Sequence, residues 1–193
     1  MNRLPKELEN PIDRNIRNIT DNIAKFLTKY NFNPAIITTI GNIWSYLAIK
    51  FIRENDENFN KNRIILLLVL RLFTDYLYDS MTYYYYLPSR FNKWYQCISS
   101  HLFVIIILGF ILYRTGNIYQ IILSLLMMGL FIYNLYEVDK YKKLEKHQDY
   151  GYDIDEKFKD KMKKKEKIMK YTKFFSYSTI IIYTIIILYI YKS

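Results

Sequence analysis

Arg71, Asp75 and Asp79 recur at intervals of four, and further along Cys97 and His101 are again four apart. Spacing of four sets the members of each group on one face of a helix. Carboxylate, thiolate and imidazole together are reasonable ligands for Zn²⁺ or a similar divalent ion. The surroundings make these charges costly, because they follow directly on the apolar run IILLLVL. An Arg or Asp at the centre of a membrane span costs about 2.5–3.5 kcal/mol, while each Leu or Ile returns only a few tenths. Pairing of Arg71 with Asp75 and rotation of the stripe toward other helices relieve that cost. Ionisable groups turned to a bundle interior mark a site. The same stripe also suits a buried ion pair that orders a bundle, or the wall of a transport path.

The elements that must carry these residues are long apolar helices. The mean hydropathy of −0.09 looks soluble, but the charge is segregated. Four windows hold no Asp, Glu, Lys or Arg: Tyr30–Ile49, Trp94–Tyr113, Thr115–Tyr136 and Phe174–Tyr191. Each is long enough to cross a hydrocarbon core as a helix. A fifth segment, Ile64 to Leu87, has the length and contains the three charges. The expectation is an all-α, multi-pass transmembrane bundle of about five spans with an N-terminal amphipathic surface helix. It divides into that juxtamembrane helix (1–33), a four-span core (34–136) holding the region 71–101, a basic segment (137–173) and a C-terminal span (174–193). No secretory signal pattern opens the sequence, since a charged leader precedes the first apolar run. Cys97 is the single cysteine, which excludes an intramolecular disulfide. The Ile, Asn, Lys and Tyr bias, with 21 tyrosines, resembles the product of an AT-rich genome, so part of the Tyr content reflects codon drift.

The net charge of +10 gives an orientation. With five spans, six Lys and Arg in 1–33, two in 88–93 and thirteen in 137–173 fall on one side, against four, one and one on the other. The positive-inside bias predicts N-terminus inside and C-terminus outside. Asn10 and Pro11 read as an N-cap and first-turn proline, with Asp13 in the first turn. Ile12, Ile16, Ile19, Ile23, Phe26, Leu27 and Tyr30 then recur at helical spacing, as in a helix lying on a membrane surface. Packing of a soluble helix on a neighbouring helix is the alternative reading of the stripe. The lysines of 137–173 attract anionic leaflet lipids by about 1 kcal/mol each near the surface, or act only as a topology determinant. The bilayer and its anionic lipids are the expected partners, not nucleic acid.

A family resemblance enters at 75–101. The layout resembles the CDP-alcohol phosphatidyltransferases, whose signature is D-x2-D-G-x2-A-R-x8-G-x3-D-x3-D. With the second family aspartate on Asp79, Ser80 stands at the glycine, and Tyr83 and Tyr84 at the Ala-Arg pair. Lys93 falls at the second glycine, and Cys97 and His101 at the last two aspartates. Tyr76 holds the first aspartate position, one residue from Asp75. In the stretch NPAIITTIG, the residues Pro34, Ile37, Thr38 and Gly41 are similar to the family's P-N-x-I-T-x-x-G, with Ala35 in place of Asn. The resemblance covers about residues 10–115, and the family usually has six spans where five are read here.

The resemblance implies transfer of a phosphatidyl group from a CDP-activated donor to an alcohol. It implies Mg²⁺ or Mn²⁺ on the aspartates, a base at the last position, and a homodimer. Mapped onto this chain, Asp79 and His101 become the catalytic candidates, Asp75, Asp79 and Cys97 the metal candidates, and Arg90 and Lys93 the groups for substrate phosphate. The Asp/Cys/His set itself suits Zn²⁺ better, since Mg²⁺ prefers oxygen. The expected function is thus phospholipid head-group transfer with a degenerate or re-purposed site. The alternatives are a non-catalytic membrane scaffold that binds lipid, or a small transporter.

Overall fold

The computed structural model describes residues 4–53, 60–85, 90–149 and 156–190. Its helices are α1 (Pro11–Lys29), α2 (Pro34–Arg53), α3 (Lys61–Tyr85), α4 (Arg90–Thr115), α5 (Ile118–Asp149), α6 (Glu156–Thr172) and α7 (Tyr177–Ile190). No strand occurs among the described residues.

Asparagine starts four of these helices. The side-chain oxygens of Asn10, Asn33, Asn60 and Asn117 accept from the backbone N–H of Ile12 (2.9 Å), Ala35 (2.9 Å), Arg63 (3.1 Å) and Tyr119 (3.0 Å). Each thereby satisfies a first-turn donor that the helix itself cannot. Asparagine also ends α1. Asn31 takes a left-handed φ of 53°, and its N–H donates to Thr28 O (3.0 Å) while that of Phe32 donates to Leu27 O (3.1 Å). That pair of bonds is the Schellman arrangement, and Asn tolerates its left-handed residue better than most.

The core sits between α2, α3, α4 and α7. Ile52, Leu68, Leu72, Val104, Ile107 and Ile181 form one buried cluster. α3 packs on α1, α2 and α7, and α4 on α2 and α7, while α5 lies outermost beside α6. From α5, Phe131 enters the buried cluster with Met128 packed against it, and Ile122, Leu125, Leu126 and Ile132 face outward.

Among the described residues, three stretches are long and apolar enough to cross a membrane: Pro34–Arg53, Ile118–Glu145 and Phe158–Ile190. The last joins α6 to α7 across the turn at 173–176. The other two expected spans coincide with α3 and α4. α3 carries Arg71, Asp75 and Asp79 among its apolar residues, and the apolar part of α4 is the shorter stretch Ile98–Phe110.

α1 is docked by its polar side. Asn10 Nδ2 donates to Ser176 Oγ (2.8 Å) and Thr179 Oγ1 (3.0 Å), and the Ser176 and Ser178 hydroxyls donate to Asp13 Oδ1. The hydroxyls of Thr20 and Ser80 share a hydrogen bond of 2.9 Å. Asp13, Thr20 and Ala24 are buried, whereas Ile12, Ile19, Ile23, Phe26 and Tyr30 are exposed. Of the apolar stripe, Ile16 and Leu27 turn into the core. Because Asn10 both caps α1 and ties it to α7, Asn10→Ala is expected to cost about 2 kcal/mol, combining a lost cap with two lost interhelical bonds. Thermal unfolding in detergent, with proteolysis of the α1 segment, checks this; an unchanged melting point and cleavage rate would refute it.

Candidate functional site

The charges of α3 are resolved first into a buried knot. Arg71 has no solvent exposure. Its Nε donates to Asp75 Oδ2 (3.0 Å), Nη1 to Asn42 Oδ1 (2.9 Å), and Nη2 to Ser99 Oγ (3.0 Å) and Ser100 Oγ (3.1 Å). Its guanidinium also lies 5.6 Å from the Phe103 ring centroid, a favourable cation–π distance. Asp75 is equally engaged. Tyr177 Oη donates to Oδ2 (2.7 Å), and Gln96 Nε2 (2.5 Å) and Ser100 Oγ (3.1 Å) donate to Oδ1. Behind this pair, Thr38 Oγ1 donates to Gln96 Oε1 (2.7 Å) and Asn42 Nδ2 to Tyr95 Oη (2.6 Å). A buried ion pair is tolerable only when its remaining donors and acceptors are satisfied. Here α2, α3, α4 and α7 all contribute to that end.

Gly41 makes the knot possible. A methyl group at its Cα would stand 2.7 Å from Arg71 Nη1 and 2.8 Å from Thr74 Oγ1. The absent side chain is the space the guanidinium occupies.

Next to the knot lies a cavity of about 440 Å³, where α1, α3, α4, α5 and α7 meet. Asp75 forms part of its wall, and Asp79, His101 and Arg17 also line it. Asp79 is exposed and His101 half-buried. The imidazole stacks on Phe131, with ring centroids 5.6 Å apart and planes at 27°. A second chamber of about 230 Å³ adjoins the first and shares Arg17, Asp79, Leu135 and Tyr177 with it. Lys142 and Lys173 bring two more cations there, and Glu9 and Asp13 two carboxylates. Arg17 Nη1 lies 2.7 Å from Glu9 Oε1, and its guanidinium is 5.8 Å from the Tyr76 ring centroid. Arg17 Nε is buried with no hydrogen-bond partner in the structure. The combined cleft therefore brings cations suited to phosphate together with the Asp79 carboxylate and the His101 imidazole.

The candidate residues fare differently. Asp75, Asp79 and His101, from consecutive helices, reach one cavity. Asp75 spends both oxygens on Arg71, Gln96, Ser100 and Tyr177, so it serves as a wall of the site. Arg90, Lys93 and Cys97 belong to α4, but their side chains lie outside the described residues. Among the described residues, no three His, Cys, Asp or Glu side chains gather to hold a metal. Of the candidate metal ligands, Asp75 is engaged in the knot and Asp79 lines the cavity.

Sequence reasoning missed Asp13, Arg17, Lys142, Lys173 and Tyr177. A signal existed for the first two: Asp13, Arg17, Thr20 and Ala24 form a stripe at intervals of four, three and four, on the side of α1 away from its isoleucines. Ser80 uses its hydroxyl to hold α1 through Thr20. Tyr83 lines the smaller chamber. No family model, curated protein or solved structure matches the chain, so the site is read from its own residues.

Proposed function

We propose that this chain is an integral membrane protein that binds a phosphate-bearing lipid headgroup in the cleft between α1, α3, α4, α5 and α7. It is a re-purposed form of the CDP-alcohol phosphatidyltransferase layout, with α2, α3, α4, α5 and α7 as its five crossings. The observation that carries this reading is the convergence of Asp79 and His101 on one cavity of about 440 Å³, with Arg17 on its wall. Lys142 and Lys173, at the adjoining chamber, belong to the segment that the positive-inside bias assigns to the inner face. The headgroup enters from that side, and α1 lies along the inner surface with its exposed isoleucines in lipid.

A second reading, head-group transfer, draws on the same convergence. The acceptor alcohol oxygen would bond to the phosphatidyl phosphorus of a CDP-activated lipid. CMP would leave with the bonding pair, and His101 would take the hydroxyl proton while Asp79 orients the acceptor.

One experiment separates the two. The full chain in nanodiscs is mixed with labelled CDP-diacylglycerol and a panel of alcohols, with Mg²⁺, Mn²⁺ or Zn²⁺, and both retained lipid and product are measured. Saturable binding that weakens about tenfold or more in Arg17→Gln, consistent with loss of a charged hydrogen-bonding group, is the expected result. Product that disappears in Asp79→Asn would favour transfer. Absence of both binding and product would overturn the cleft reading altogether.

A further inference from the structure

Away from the cleft, α5 and α6 enclose a separate groove of about 240 Å³ lined by Lys140, Lys143, Leu144, Lys161 and Lys165. No carboxylate lines it among the described residues. Two carboxylates engage its lysines from α5. Asp139 pairs with Lys143 at 2.6 Å, and the buried Glu137 holds Lys165. The wall of the groove itself is thus four lysines and a leucine, so its lining carries only positive charge among the described residues. The Lys143–Asp139 pair is well exposed, so water screens it and Lys143 remains available to another anion.

The α5 face leading to this groove changes character along its length. Leu125, Gly129, Ile132, Tyr136, Lys140 and Lys143 follow one another at intervals of four, three, four, four and three, on one side of the helix. Leu125, Ile132 and Tyr136 are exposed, and nothing stands within 4 Å of a side chain at Gly129. An apolar track thus passes through a tyrosine to a cluster of ammonium groups. Lys140 Nζ sits 4.1 Å from the Tyr136 ring centroid at the junction. That order matches a lipid: acyl chain, interfacial belt, headgroup. The size of the charge selects the headgroup. A phosphodiester carries one negative charge, whereas a phosphomonoester carries about −1.5 to −2 at pH 7 and three strong acceptor oxygens.

We infer that this groove is a binding site for a lipid whose headgroup ends in a phosphomonoester. The site depends on the membrane reading above and is independent of the cleft.

The test uses the full chain in a neutral detergent, titrated with dioctanoyl phosphatidic acid, dioctanoyl phosphatidylglycerol and inorganic phosphate, with binding read from the melting temperature. Phosphatidic acid is expected to bind at least about tenfold more tightly than phosphatidylglycerol, in line with one further charged contact. Inorganic phosphate at matched concentration should leave the melting temperature unchanged. Lys140→Gln with Lys161→Gln should abolish the preference while leaving the Lys143–Asp139 and Lys165–Glu137 pairs in place. Lys163→Gln with Lys167→Gln, on the same α6 but outside the groove, should retain it. Equal affinity for the two lipids would overturn the site. So would equal loss in the two double variants, which would indicate an unstructured basic surface, or phosphate matching the lipid, which would indicate a soluble-anion site. Should the first double variant fail to fold, the wild-type ratio together with Lys161→Gln alone decides the matter. The CDP-diacylglycerol assay, run in parallel, reports on the cleft separately.

Discussion

Arg71→Met is expected to destabilise the protein by about 3–5 kcal/mol, the cost of leaving one partner of a buried ion pair behind. The argument turns on what remains. Asp75 would keep Gln96, Ser100 and Tyr177 but lose the cation bonded to it, the one such partner among the described residues. Individual side-chain hydrogen bonds in membrane proteins average only about 0.6 kcal/mol. The uncompensated charge, not the bond count, therefore sets the size of the effect. Arg71→Lys should be nearly as harmful, since one ammonium cannot reproduce a fork that reaches Asp75, Asn42, Ser99 and Ser100 together. Arg71→Met with Asp75→Leu should recover most of the loss by removing both charges. Unfolding of detergent-solubilised protein, as a double-mutant cycle, measures these terms. A cost below about 1 kcal/mol for Arg71→Met would show that the knot does not hold the bundle.

Gly41→Ala should go against the usual rule. In a helix interior Ala normally gains about 1 kcal/mol over Gly. At Gly41 the new methyl would meet Arg71 Nη1 at 2.7 Å and Thr74 Oγ1 at 2.8 Å. The guanidinium cannot retreat, because four side chains hold it. Overpacking of that kind costs about 1–3 kcal/mol. Gly109 and Gly129, where nothing lies within 4 Å, provide the contrast: Ala there should be neutral or stabilising by up to about 1 kcal/mol. Melting temperatures of the three variants, compared side by side, decide it. Loss at all three positions would assign the effect to glycine flexibility rather than to Arg71.

The part of this arrangement that local spacing controls was legible. Intervals of four are enough to pair Arg71 with Asp75, and Asn10-Pro11 is enough to start α1. The same rule would have read Asn33, Asn60 and Asn117 as helix starts. Contacts between helices were not legible, because periodicity tells which residues share a face but not which faces meet. Asn42, Gln96, Ser99, Ser100 and Tyr177 stand in charge-free windows and looked incidental there. They are the groups that make the charges of α3 tolerable. The likeness of Pro34, Ile37, Thr38 and Gly41 to a transferase pattern now has a local physical content: Ile37 packs under α1, Thr38 holds Gln96, and Gly41 admits Arg71. α1 illustrates the opposite difficulty. Its isoleucine stripe was plain, yet Ile12, Ile19 and Ile23 face outward, and the polar side carries Arg17 and Asp13 to the site.

The ties from α7 also set a schedule for assembly. Tyr177 follows Asp75 by 102 residues, and Ser176 follows Asn10 by 166. At about 5–20 residues per second of synthesis, Asp75 waits roughly 5–20 s for its tyrosine, and α1 waits longer for its anchor. During that interval Arg71 and Asp75 have each other, one turn apart on a single helix, while the cleft lacks its last wall. The nascent chain thus carries its own temporary counter-ion, and pocket closure is among the final events of biogenesis.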